Sequence, residues 1–92
     1  MFNQFVLAGK VYEINITDKF IILEVNKGFA MFNTNDSDLI KINLSNFPEE
    51  VLYSIDANKV VMAKGRINSD SASITLFADR LINMSDSIEK EE

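Results

Sequence analysis

Leu39-Ile40-Lys41-Ile42-Asn43-Leu44-Ser45 runs straight into Asn46-Phe47-Pro48-Glu49-Glu50-Val51-Leu52-Tyr53-Ser54-Ile55, and the step between the two segments decides how this chain is read. In the first, Ile40, Ile42 and Leu44 alternate with Leu39, Lys41, Asn43 and Ser45, the period-two pattern of a strand with one buried face. In the second, a proline precedes two acids. Proline costs nothing at a helix opening, where its missing N–H would be unpaired anyway, and carboxylates there meet the positive end of the helix. Val51, Leu52 and Ile55 then make the apolar side of a turn or two that closes one end of a barrel, and Asn58 supplies a stop. The passage reads as strand, short helix, and return to strand.

Outward from it, strand-like runs cover residues 5–14 and 20–25 upstream and 59–67 and 74–84 downstream. Ile21, Leu23 and Val25 share one face of the second run, and Phe20, Ile22 and Glu24 the other. Gly9, inside the first run, marks either a bend or bulge at a barrel corner or a close approach to a neighbouring strand. Residues 15–19 form a polar turn, residues 26–38 a long polar connection, and residues 68–73 the turn of a final hairpin. Five strands with a short helix between the third and fourth is the order of a small all-β Greek-key barrel of the OB type. Residues 1–84 make that domain, and residues 85–92 an acidic, solvated tail.

Composition narrows the chemistry. Ninety-two residues hold one domain with a modest core, and the chain has no Cys, His or Trp. That excludes disulfides, Cys/His metal clusters, and thiol or imidazole catalysis. Glu49 and Glu50 are adjacent, so on a helix they point apart rather than forming an acid–base pair. Asp36 and Asp38 lack the spacing of a calcium loop, and Lys64-Gly65-Arg66 lacks the Gly-rich approach of a phosphate loop. The reading is therefore non-enzymatic, without metal or cofactor. No basic leader, apolar leader segment or 18-residue apolar stretch is present, which points to a cytoplasmic protein. The net charge is −5, of which the tail holds −3, leaving a body of eight basic and ten acidic residues. A near-neutral body can carry a local basic stripe, and the local potential is what a phosphate backbone meets.

The candidate stripe is Lys10, Lys41, Lys64 and Arg66, cations set in otherwise apolar strands, with Tyr12 sharing the face of Lys10. Phe29 and Phe32, beside the long loop, are candidate stacking platforms for bases; equally, they extend the second strand and pin the loop. The plainer reading of the cations makes them solvated barrel faces partly paired with Glu13, Glu24 and Asp79.

Phe5-Val6-Leu7-Ala8-Gly9-Lys10-Val11 resembles the opening strand of bacterial and phage single-stranded DNA-binding proteins. Lys64-Gly65-Arg66-Ile67 is similar to their later basic–Gly–Arg–apolar segment, and Ala78-Asp79-Arg80-Leu81-Ile82 to their closing strand. The resemblance spans roughly residues 2–84, and a compact primosomal or phage member fits it better than a standard homologue. It implies sequence-nonspecific binding of single-stranded DNA in replication, recombination or repair, replication proteins as partners, and Phe29 near a stacking position. It also implies a homodimer or homotetramer with the first strand near the dimer contact, to which Phe2, Phe5, Tyr12 and Phe77 would add apolar surface. Leu39 and Ser45 stand where the family places aromatics, the last hairpin is too short to wrap DNA, and the tail lacks the family's partner-recruiting tip. The acidic net charge, the lack of Trp and the missing aromatics at Leu39 and Ser45 support a competing expectation, an OB-type assembly module that binds protein and not nucleic acid.

Overall fold

The alternation read from the sequence closes the sheet on itself. In the computed structural model, which describes residues 3–26 and 37–84, the elements are β1 (Gln4–Asn15), β2 (Phe20–Asn26), β3 (Ser37–Asn43), α1 (Glu49–Tyr53), β4 (Val60–Ser69) and β5 (Ile74–Asn83). They form a closed barrel in the order β1-β2-β3-β5-β4, with β4 returning to pair with β1. This is the expected all-β five-stranded OB barrel with its short helix between β3 and β4. Phe2, Phe29, Phe32 and the tail of residues 85–92 lie outside the described residues.

The inward residues are those that alternation selected. Ile21 and Leu23 of β2, Ile42 of β3 and the following Leu44 are fully buried, together with Val11 of β1. Leu52 of α1 is buried too, with Ile55 packed against the same core, so the helix plugs a barrel end. Truncating Leu52 to Ala would cost about 2–5 kcal/mol, because the plug would leave a cavity. Pro48 takes the N-cap position with Glu49 and Glu50 in the first turn, and Asn58 stops the segment in a left-handed conformation at φ 70°. Phe5, expected to be surplus apolar surface, belongs to the core at 9% exposure.

Both irregularities of the ladders fall where the sequence was ambiguous. Gly9 is not a bulge: a Cβ there would sit 2.6 Å from the Glu24 carbonyl oxygen, so glycine is required by the close approach of β2. The bulge of β1 falls instead between Val11 and Glu13, leaving Tyr12 as the extra residue. It shifts the alternation by one, which lets both Val11 and Ile14 face the core. A second slip lies between Lys64 and Gly65, where Lys64 opposes Arg80 but Gly65 opposes Ala78, so Asp79 is the extra residue of β5. Gly65 points inward as expected, and a Cβ on it would overlap the Phe77 carbonyl oxygen and lie 2.7 Å from Ala78 Cα.

β4 is two residues longer than expected, because Asn68 and Ser69 pair with Thr75 and Ile74. The turn shrinks to residues 70–73 because Asp70 organises it. Its Oδ1 accepts the backbone N–H groups of Ala72 and Ser73, each at 2.9 Å, while its own N–H donates to the Ser73 carbonyl at 3.0 Å.

Candidate functional site

Cross-strand partners share a face, so the ladders place the candidate side chains relative to one another. On the outside of β4 and β5, Lys64 lies directly opposite Arg80, and Arg66 opposite Phe77. Lys64 and Arg66, two residues apart, leave the same face, as the strand period predicted. Arg80, which the sequence reading passed over, completes a cluster of three exposed cations. Among the described residues, neither Lys64 nor Arg80 has an acidic partner. Arg66 does: its Nε lies 3.5 Å from Asp79 Oδ2, while Asp79 Oδ1 accepts from Asn46 Nδ2 at 3.2 Å. The proposed pairing of the cations with nearby acids thus holds for Arg66 and Asp79.

Lys10 and Lys41 do not join that cluster. Lys10 opposes Val60 on one side and Glu24 on the other, four residues along β4 from Lys64, or about 13 Å at strand rise. Lys41 opposes Ile22 on β2, and its Nζ sits 4.4 Å from the centre of the Phe20 ring. At that distance the ammonium is attracted to the ring face, by roughly 0.5–1 kcal/mol at an exposed site. Tyr12, raised by the bulge, is 57% exposed beside the Glu13–Ile22–Lys41 row.

One row joins the two groups. Gln4 pairs with Arg66, Arg66 with Phe77, Phe77 with Asn43 across the parallel β3–β5 contact, and Asn43 with Phe20. Around the outside of the barrel this sets a cation, a ring, an amide and a second ring in sequence, with Lys41 over the last. Two recesses flank the Phe77–Asn43 crossing. One of about 320 Å³ is walled by Asn3, Ser45, Asn46, Arg66, Asn68 and Phe77. The other, of similar volume, lies between Lys41 and Asn43 of β3 and Ile74 and Thr75 at the start of β5. The face of β2 and β3, bordered by the β1–β2 and β4–β5 turns, is where OB barrels hold oligonucleotides and oligosaccharides.

Phe20 and Phe77 are the rings the sequence reading did not assign to the site. Phe20 was on the outward face by alternation, which was the available signal. Phe77 became visible only with the hairpin register, since its pairing with Arg66 follows from the four-residue turn at 70–73. Leu39 is 53% exposed and Ser45 is exposed, so the two positions without aromatics do face outward. No group of three or more His, Cys, Asp or Glu residues among those described is arranged to hold a metal ion.

No protein-family model matches this sequence, and no curated protein matches it. Solved structures do. The mitochondrial single-stranded DNA-binding protein Rim1 of S. cerevisiae superposes with a TM-score of 0.75 at 9% identity, over 92% of this chain and 97% of that one. The N-terminal domain of PriB from Thermoanaerobacter tencongensis, described as dimeric, gives 0.62 at 24% identity over 88% and 94%. A chain of the S. pombe Stn1–Ten1 complex gives 0.59 at 16% identity over 98% of this chain and 64% of that one. At these identities the likeness establishes the fold.

Proposed function

We propose that this protein binds single-stranded DNA, without enzymatic activity, along the outer row from Lys64 and Arg80 through Arg66 and Phe77 to Phe20 and Lys41. The observation that carries the reading is Lys64 opposite Arg80. Like charges directly across an antiparallel pair destabilise a sheet, and an anion bound between the two would offset that cost. A polynucleotide backbone supplies that anion, and the rings of Phe77 and Phe20 supply faces for its bases. Stacking on Phe20 requires Lys41 to leave the ring, where a nearby phosphate compensates the ammonium. Phe29 and Phe32 add stacking surface from the connection between β2 and β3, and Lys10 and Tyr12 extend the track across β1. Likeness to Rim1 and PriB adds support, as does the resemblance of the strand motifs. The setting is DNA replication, recombination or repair in the cytoplasm, alongside replication proteins.

The same reading includes self-association. Among the described residues, β2 pairs with β1 only from Lys10 onward, so residues 4–9 have no ladder partner on that edge. On the outer face of β1, β4 and β5, Ala8, Met62 and Ile82 form one row, with Val6 58% and Ile82 45% exposed. This apolar outer face suits a second copy of the chain, joined through β1. Homodimerisation is the simplest product, and pairing of two dimers the next.

Fluorescence anisotropy with labelled oligo-dT at low and moderate salt tests the binding. Saturable binding that weakens steeply with salt is expected. Folded protein that ignores oligo-dT at low salt would reject the reading in favour of a protein-assembly module.

A further inference from the structure

We infer that the recess beside Phe77 reads a single guanine base, so that one nucleotide position along the DNA carries a sequence preference above the nonspecific background. This rests on the proposed DNA-binding function. The recess differs in kind from the Lys64–Arg80 pair. Its cation, Arg66, sits 3.5 Å from the Asp79 carboxylate, so the local charge is close to zero. A phosphate placed against Arg66 would meet that carboxylate as well and be repelled by it. A neutral heterocycle would not be repelled, and it offers hydrogen-bond acceptors to the guanidinium and donors to the side-chain oxygens of the walls.

The remaining walls fit an uncharged polar edge over a ring. Phe77 is part-buried, held between Arg66 on β4 and Asn43 on β3, so its ring is positioned before any ligand arrives. Asn3 is fixed because its Oδ1 accepts the Ile67 backbone N–H at 2.9 Å, which leaves its amide nitrogen as the donor without a described partner. Asn46 spends its amide nitrogen on Asp79, which leaves its oxygen as an acceptor. The Asn68 side chain and the Ser45 hydroxyl have no partner among the described residues. The contact of Arg66 runs through Nε and is longer than a tight charge-assisted bond, so the guanidinium still has N–H groups to offer.

Guanine matches this arrangement better than the other bases. Its O6 and N7 present two acceptors side by side, the pair that an arginine fork contacts most often. Its N1–H and N2–H₂ are donors, for which the side-chain oxygens of Asn46 and Ser45 in the wall are acceptors. Adenine presents a donor where guanine has O6, and a pyrimidine has no N7. At about 320 Å³, the recess falls at the small end of ligand-sized pockets, suited to one base and not to a longer segment.

The test compares labelled oligo-dT with the same oligomer carrying one central guanine, both titrated with the full-length protein at moderate salt. The guanine oligomer should bind about fivefold tighter or more, the low end of what one bidentate base contact gives. A 7-deazaguanine at that position should lose most of the gain, because one of the two acceptors is gone. Arg66→Lys is the deciding variant. It keeps the charge and discards the planar fork, so the ratio of guanine-oligomer to oligo-dT affinity should fall to about one, whatever happens to oligo-dT binding itself. Asn68→Ala, at an exposed position, should shrink the preference with the fold intact. Equal binding of both oligomers by the unmodified protein would overturn the guanine site and leave the DNA-binding function standing. A preference retained by Arg66→Lys would overturn the assignment to the guanidinium. Binding to neither oligomer would overturn the function, and this inference with it.

Discussion

Asp79 is the residue squeezed out of β5, and its Oδ2 meets Arg66 Nε at 3.5 Å instead of facing Lys64. Without the slip, the Gly65–Ala78 register would continue and put Asp79 opposite Lys64, an ordinary cross-strand ion pair. With it, Lys64 receives Arg80 and the acid moves to Arg66. One extra residue therefore sorts the outer face of β4–β5 into a step where two cations face each other and a neutralised one.

Replacing Asp79 by Asn should show how little of this pairing serves stability. Both side chains are largely exposed, and such pairs contribute about 0–1 kcal/mol. Denaturant unfolding of Asp79→Asn should match the unmodified protein to within about 1 kcal/mol. Oligo-dT should bind severalfold tighter at low salt, since a repelling carboxylate has gone. Unchanged affinity together with a loss well above that stability range would make Asp79 a structural residue.

The Lys64–Arg80 pair predicts effects of opposite sign on folding and on binding. Changing both to Ala removes a like-charge contact, so stability should hold or rise by a few tenths of a kcal/mol, up to about 1. Binding of oligo-dT should weaken, and the slope of log affinity against log salt should flatten by up to about two, roughly one per lost phosphate contact. An unaltered salt slope would remove this pair from the phosphate path. Phe29→Ala, by contrast, should lower affinity with little change in slope, because stacking releases few ions.

The barrel was legible from the sequence because side-chain alternation and the Pro-Glu-Glu opening are local signals. Ile21, Leu23, Ile42, Leu44 and Leu52 all lie where those signals put them. The site was only half legible. Lys64 and Arg66 share a face by period alone, but which residue stands opposite Lys64 depends on the slip at Asp79, and a slip has no signature in composition. Tyr12 stays on the outer face with Lys10 as alternation grouped them, and the bulge alters only the residues that follow it. Grouping Lys10 and Lys41 with Lys64 failed for a different reason: residues in different strands become neighbours only through register. The end of β4 was misplaced because Asn68 and Ser69 read as turn residues, whereas Asp70 holds the turn in four residues by itself.

Gly65 should be the least replaceable position in β4. A Cβ would be driven into the Phe77 carbonyl and against Ala78 Cα, both backbone atoms of the partner strand, so relief requires β5 to move. Gly65→Ala should cost about 3 kcal/mol or more, the upper end for overpacking a well-filled site. It should also weaken oligo-dT binding, because Arg66 and Phe77 are set by the same register. A denaturation midpoint equal to that of the unmodified protein would show that β5 gives way freely.

Asp70 links the last hairpin to acidity. The N–H groups of Ala72 and then Ser73 hold its carboxyl below the ordinary aspartate value of 3.8. A depressed folded-state value means the ionised form stabilises the turn. That contribution is present in full above the ordinary value and disappears as pH falls through the lowered one. Thermal unfolding of the unmodified protein and of Asp70→Asn should therefore differ near neutrality and converge in acid well below the ordinary value of 3.8. A constant difference across that range would mean that the acceptor geometry matters and the charge does not.

Association through β1 makes the last prediction. Met62 lies between Ala8 and Ile82 in the outward apolar row, and a charge placed there would have to be desolvated in any face-to-face or edge-joined assembly. Light scattering should give the unmodified protein a mass of two or four times the 10.4 kDa chain at micromolar concentration. Met62→Glu should fall to a single chain with an unchanged far-ultraviolet circular dichroism spectrum, because the side chain points away from the core. A DNA track confined to one barrel would survive this change, with oligo-dT affinity reduced only by the loss of the second copy's contribution. A single-chain mass for the unmodified protein across the micromolar range would remove self-association and leave the apolar row unexplained by it.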